Sequence, residues 1–369
     1  MSSFISGLDL SQSYFKEVVE PILRADFPKI AFSAGLLGAG SEVLGFDTEM
    51  STDHDWGPRL SLFLPVADLT AYGGDIKRAL GKKLPPLFRG YPTGFTVAPV
   101  GTQSAPLLDY AEAREEPVEH RVSVTSIADF IAQYLGFDLS QEIRSLDWLT
   151  FPEQKLLSLT GGRLFHDQIG IKKVLSRFAY YPQDVWLYLL ACAWRRIEQE
   201  EHLMGRAGSV GDELGSRLIA SRLVRDLMRL SFLMEKQYAP YPKRLGTAFG
   251  KLALAPELKP LLEQVLSQSV WQEREKFLVK AYELLAQHHR RLGVTEPLPT
   301  ECSQFHDRPF LVISKGLYSA AILAQIEDPF LQELATRPLI GSVSQFSDST
   351  DLQVDPLWRP ALVDLYGKQ

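Results

Sequence analysis

Asp53 and Asp55 stand one residue apart, a short way downstream of the pair Gly40-Ser41. On an extended backbone, side chains at i and i+2 project to one face, so the two carboxylates would stand together. Two like charges held side by side call for a cation. Magnesium suits them, because it takes one or two carboxylates together with substrate phosphates. A glycine-serine turn adds backbone N–H groups and a hydroxyl, which suit phosphate oxygens. These are the parts of nucleotidyl transfer: metal-bridged nucleotide phosphates and an in-line displacement at the α-phosphate. His54, between the acids, projects to the opposite face and reads as structural. Trp56 reads either as a ring that stacks on a base or as a core aromatic.

The elements that must position this pair follow from the apolar pattern. Residues 29–37 form a short apolar run ending in glycines and read as a buried strand; residues 59–64, bounded by prolines, read as a second. Residues 68–84 are helix-like, and residues 120–124 alternate as a strand. The first 25 residues read as an amphipathic helix with Phe15, Val18, Val19, Ile22 and Leu23 on one side. Residues 85–117, rich in Pro, Gly and Thr, form a long excursion of the kind that often serves as a binding loop. From residue 126 onward the period is helical: helices over 185–201 and 212–236, more to about 292, and one near 315–324, with a loop at 205–211 and an irregular tail from 338. This predicts an α+β chain with two parts. A small mixed-sheet domain spans residues 1–135, and an all-helical domain that closes over substrate and nucleotide spans 136–369.

Gly40-Ser41 followed by Asp53-x-Asp55 resembles the signature of the polymerase-β-like nucleotidyltransferase superfamily. More closely, residues 40–64, 181–201, 211–249 and 341–351 resemble an uncharacterised bacterial family, domain of unknown function 4037. The family label carries no activity; the superfamily motif does. It implies Gly40 and Ser41 as the nucleotide-binding turn and Asp53 and Asp55 as catalytic metal ligands for magnesium. The reaction implied is transfer of a nucleoside monophosphate from an NTP to an acceptor hydroxyl, expected on a small molecule. Two departures stand out. Trp56-Gly57-Pro58-Arg59 intervenes where the superfamily runs straight from the second acid into a strand. Active members also carry a third acid on a later strand, and the central position of 120–124 is Ser123. Glu119 shares the face of Arg121 and Ser123 and is the candidate third metal ligand. A catalytically inactive nucleotide-binding or partner-binding protein on the same fold is the alternative.

Arg222, Arg225 and Arg229 fall on one face of a helix. With Lys243 nearby in sequence, Arg222 is expected at the nucleotide; the competing reading is a face paired with acids such as Asp226. Asp212 and Glu213 open that helix, where they complement its dipole or supply a general base. His166-Asp167 lacks further ligands at metal spacing and reads as structural.

Composition bounds the rest. With 369 residues, 45% hydrophobic and 23% charged, the chain can bury a core in each of two domains. Forty-five acidic against 39 basic side chains leave a net charge of −6, which weighs against a coat for nucleic acid. Two cysteines, Cys192 and Cys302, make neither a disulfide framework nor a CxxC knuckle, so a reducing, cytoplasmic setting is expected. No apolar run approaches the roughly 20 residues of a membrane span, and the N-terminus has no apolar core of a signal peptide. After Gly38 and Gly40, the third glycine of a dinucleotide fingerprint is replaced by Val43, and no phosphate-loop pattern occurs.

Overall fold

The computed structural model describes residues 4–53, 56–94 and 119–367. They form two compact units, residues 1–142 with 155–179 and residues 143–154 with 180–369.

The first unit is built on a four-stranded mixed sheet. Its strands are β1 (Ser33–Leu36), β2 (Leu60–Phe63), β3 (Val122–Thr125) and β4 (Arg163–Asp167). The order across the sheet is β3-β2-β1-β4. β1 is antiparallel to both neighbours, and β2 pairs with β3 in parallel. β1 and β2 are buried along their whole length, which explains their continuous apolar runs.

Helices cover both faces. On one side lie α1 (Gly7–Tyr14), a π-turn (Phe15–Val19), α2 (Glu20–Asp26) and α3 (Val66–Lys83). Leu10, Phe15, Val19, Ile76 and Leu80 from these helices pack on Leu60, Leu62, Val122 and Val124. Burial of this apolar surface is the main drive for the layer, at about 25 cal/mol per Å². On the other side α4 (Ile127–Leu135) and a short helix (Ile171–Leu175) bring Phe130 and Ile171 onto Phe63 and Leu37. Ser126 caps α4 by accepting the Asp129 N–H at 3.0 Å, and Gly136 ends it with φ +67°.

β4 lies in a stretch that reads as helical from sequence, and the structure corrects that reading. Ser33 Oγ donates to Asp167 at 2.7 Å, and the same carboxylate accepts the Ile171 and Lys172 N–H groups. His166-Asp167 is thus structural, as its sequence suggests.

The second unit is helical apart from one hairpin of strands, Ser303–Phe305 and Arg308–Val312. Its frame is α5 (Gln183–Glu200), α6 (Glu213–Met234) and α7 (Trp271–Leu292). Trp186 Nε1 donates to Leu233 O at 2.7 Å, tying α5 to α6. The expected loop at 205–211 is largely a helix, Leu203–Ser209. Its Gly205 and Gly208 let Phe310 and Trp271 approach the backbone, so glycine there serves packing rather than disorder. The tail beyond 338 is also not irregular: short helices at Val343–Phe346, Thr350–Val354 and Arg359–Gly367 occupy it. Among the described residues no helix is long and apolar enough to cross a membrane.

Candidate functional site

The segment that carries the glycine-serine turn leaves the sheet where β1 ends and β2 begins. Gly38 has φ +89° and Gly40 φ +138°, both in the region that favours glycine. The turn is held from the residue just before β2: Arg59 Nε donates to Glu42 Oε1 at 2.8 Å, and Arg59 Nη2 donates to Ala39 O at 2.5 Å. Glu42 is buried, and a Cβ at residue 40 would strike both partners of this pair. Beyond the turn, Asp47 Oδ2 accepts the Gly7 N–H at 2.7 Å and Trp56 Nε1 at 3.0 Å. Trp56 is buried against Phe4 and Tyr91, which settles it as a core aromatic rather than a base-stacking ring.

In sequence the acid pair falls between Asp47 and Trp56. Asp53 closes a 3-10 turn, Glu49–Asp53, so the shared-face argument from an extended strand does not apply at its position. Asp55 and His54 lie outside the described residues.

A cavity of about 700 Å³ opens at the same end of the sheet. Its floor includes Ser61 and Ser123, register partners on the parallel strands β2 and β3. Ser123 thus occupies the central strand position where an acid was sought. Five cationic side chains line the cavity: Arg59, Arg121 and, from α3, Lys77, Arg78 and Lys82. Glu119 is the one carboxylate among its described lining residues. Arg78 pairs with Asp75, while Lys77 and Lys82 are exposed and have no ion-pair partner among the described residues.

α3 presents these cations because Ile76 and Leu80 face the core, which turns 77–78 and 81–82 to the cavity. The sequence reading of residues 68–84 as a helix did not single out these cations, whose spacing of four and five residues was the available signal; that Gly81 and the start of β3 line the same space is a tertiary fact.

His120 also lines the cavity. Its Nδ1 accepts the Val122 N–H at 3.2 Å, so Nε2 carries the proton, 3.1 Å from Lys77 O. Burial holds this imidazole below its ordinary pKa. With Arg59 paired to Glu42 and Arg78 to Asp75, the charge the cavity offers an anion comes chiefly from Lys77 and Lys82 on α3. Among the described residues no three His, Cys, Asp or Glu side chains converge on a metal position. The described part of the site does not by itself fit a magnesium ion.

Arg222 and Lys243 belong to the second unit. Arg222 pairs with Glu200, Arg225 with Asp348, and Arg229 donates to Ser344 O. The arginine face of α6 is thus engaged with its own unit. Asp212 caps α6 by accepting the Gly215 N–H at 2.8 Å, and Glu213 pairs with the buried Arg274. Both acids have structural roles.

Residues 148–245 match the family described as "Domain of unknown function (DUF4037)". A solved structure, the nucleotidyltransferase-like protein from Exiguobacterium sibiricum, is similar at 12% identity, covering 87% of this chain and 91% of its own, with a TM-score of 0.32. That superposition is too loose to carry fold or activity across. No match to the sequence is found among curated proteins.

Proposed function

We propose that the first unit binds the triphosphate of a nucleotide in the basic cavity and transfers the nucleoside monophosphate to an acceptor hydroxyl on a small molecule. The observation that carries this reading is the set of cations lining the cavity where β2 and β3 begin, one of which, Arg59, also bonds the Ala39 carbonyl just before the Gly40-Ser41 turn. Lys77, Lys82 and Arg121 would neutralise phosphate oxygens, and the turn would supply backbone donors. The acceptor oxygen would form a bond to the α-phosphorus and lose its proton to solvent as the bond to pyrophosphate breaks. Magnesium belongs to this reading as the expected partner of Asp53, Asp55 and Glu119, of which Glu119 lines the cavity.

Ser123 in the middle of β3 favours a second reading, nucleotide binding without transfer. One experiment separates the two. The full chain is incubated with each α-labelled NTP, magnesium and a small-molecule cell extract, and nucleotide binding is measured in parallel. Labelled product that disappears in Asp53→Asn and in Asp55→Asn supports transfer. Binding without product supports the second reading. Failure to bind any of the nucleotides overturns both.

A further inference from the structure

The second unit holds a cavity of its own, of about 270 Å³, assembled from chain positions 153–154, 229, 239–243 and 344–353. Glu153, Arg229 and Lys243 line it, and Tyr241 sits in its wall between Pro240 and Pro242. The inner groups are only partly satisfied. The Glu153 N–H donates to Ser344 Oγ at 2.9 Å, and the carboxylate accepts a backbone bond from Ala239. Glu153 Oε1 nevertheless is buried with no hydrogen-bond partner among the described residues, as are Arg229 Nε and the nearby Tyr180 hydroxyl. Lys243 is exposed and has no ion pair among them. Asp348, also in the lining, is engaged by Arg225 at 2.5 Å. Each unmet buried polar group is a cost that a pairing ligand removes.

The pattern of these groups selects a ligand class. An anion would satisfy Arg229 and Lys243 but face Glu153 whenever that group is ionised, and an ammonium would face the two cations; a hydroxyl can pair with Glu153 in either protonation state. A neutral hydroxyl donates to a carboxylate and accepts from a guanidinium at once. Neighbouring hydroxyls on a ring can do so in pairs, and the Pro240-Tyr241-Pro242 wall offers an apolar surface for the ring's C–H face. We propose that this cavity binds a compact, neutral, polyhydroxylated ring, of the size of one sugar or cyclitol. The proposal stands on the second unit alone and does not depend on the nucleotide reading.

The test uses the full chain without nucleotide. Saturation-transfer NMR and calorimetry are run with D-glucose, D-galactose, D-ribose and myo-inositol, with inorganic phosphate and ethanolamine as charged comparators. At least one polyol should bind with a Kd of about 1 mM or tighter. Its affinity should fall at least tenfold in Glu153→Ala and severalfold in Lys243→Ala. Lys243 is exposed, so its replacement tests the site without endangering the fold. The proposal is overturned if none of the four polyols binds, if phosphate or ethanolamine binds more tightly than every polyol, or if the two variants leave the affinity unchanged.

Discussion

Arg59 and Glu42 form a pair that fastens the glycine-serine turn to the first residue before β2, with Nε to Oε1 at 2.8 Å. Glu42 is 3% exposed and Arg59 19%, so the pair is shielded from solvent and the loss of either partner leaves a buried charge. Arg59→Ala should therefore lower unfolding free energy by about 3 kcal/mol. The double replacement Arg59→Met with Glu42→Leu should recover most of that loss, as read by urea denaturation. Equal losses in the single and double variants would show that the pair is not what stabilises the turn.

Gly40 lies beside that pair. Gly40→Ala forces a side chain into φ +138° and against both partners, whereas Gly45, at φ +66°, has open space around it. The alanine at 40 should cost roughly 1–3 kcal/mol, and more than the alanine at 45. Thermal unfolding of the two variants makes the comparison.

The cavity lysines give a cleaner separation of binding from stability. Lys77 and Lys82 are exposed, so Lys77→Ala and Lys82→Ala should leave unfolding within about 0.5 kcal/mol of the parent. Together they should weaken NTP binding by roughly tenfold at low salt, with a smaller difference at high salt because exposed charges are screened. Calorimetric titration at two ionic strengths reads both effects.

Two buried carboxyls set a pH dependence. Burial pushes Glu153 and Glu201 up to about 7 from the ordinary 4.5. The folded chain then holds protons that the unfolded chain releases, so their contribution is fully present below pH 4.5 and lost as pH rises towards 7. Stability should decline across that window. Glu153→Gln, neutral at every pH, should flatten part of the decline and be more favourable relative to the parent at pH 8 than at pH 5. Urea midpoints over that range decide it. The lowered carboxyl of Asp167 acts below its ordinary 3.8 and does not contribute there.

The central elements of the first unit were legible in the sequence because their signals are local. β1 and β2 are continuous apolar runs edged by glycine or proline, and α3 shows the Ile76–Leu80 repeat. The same holds for α5 and α6, whose apolar positions recur at helical spacing. β4 was missed because Arg163–Asp167 is half-buried to exposed throughout and alternates too weakly to compete with the helical stretches around it. The tail helices were missed because they are only a turn or two long and depend on caps such as Ser342 and Ser349 rather than on a repeat. The partners of Arg222 and Arg225 lie 22 and 123 residues away, a distance no spacing rule spans. The basic cavity is likewise a product of tertiary folding: α3 and the start of β3 belong to different stretches of chain, and only the sheet brings their cations together.

The path of the backbone has its own consequence. After residue 142 the chain crosses to the helical unit, then returns over 155–179 to lay β4 along β1. A fragment cut at 142 would leave β1 as a bare sheet margin, with backbone donors and acceptors open to pairing with another copy. Ribosomal synthesis faces the same exposure for as long as β4 has not emerged, so premature termination in this stretch yields a sticky, aggregation-prone product rather than a smaller working protein.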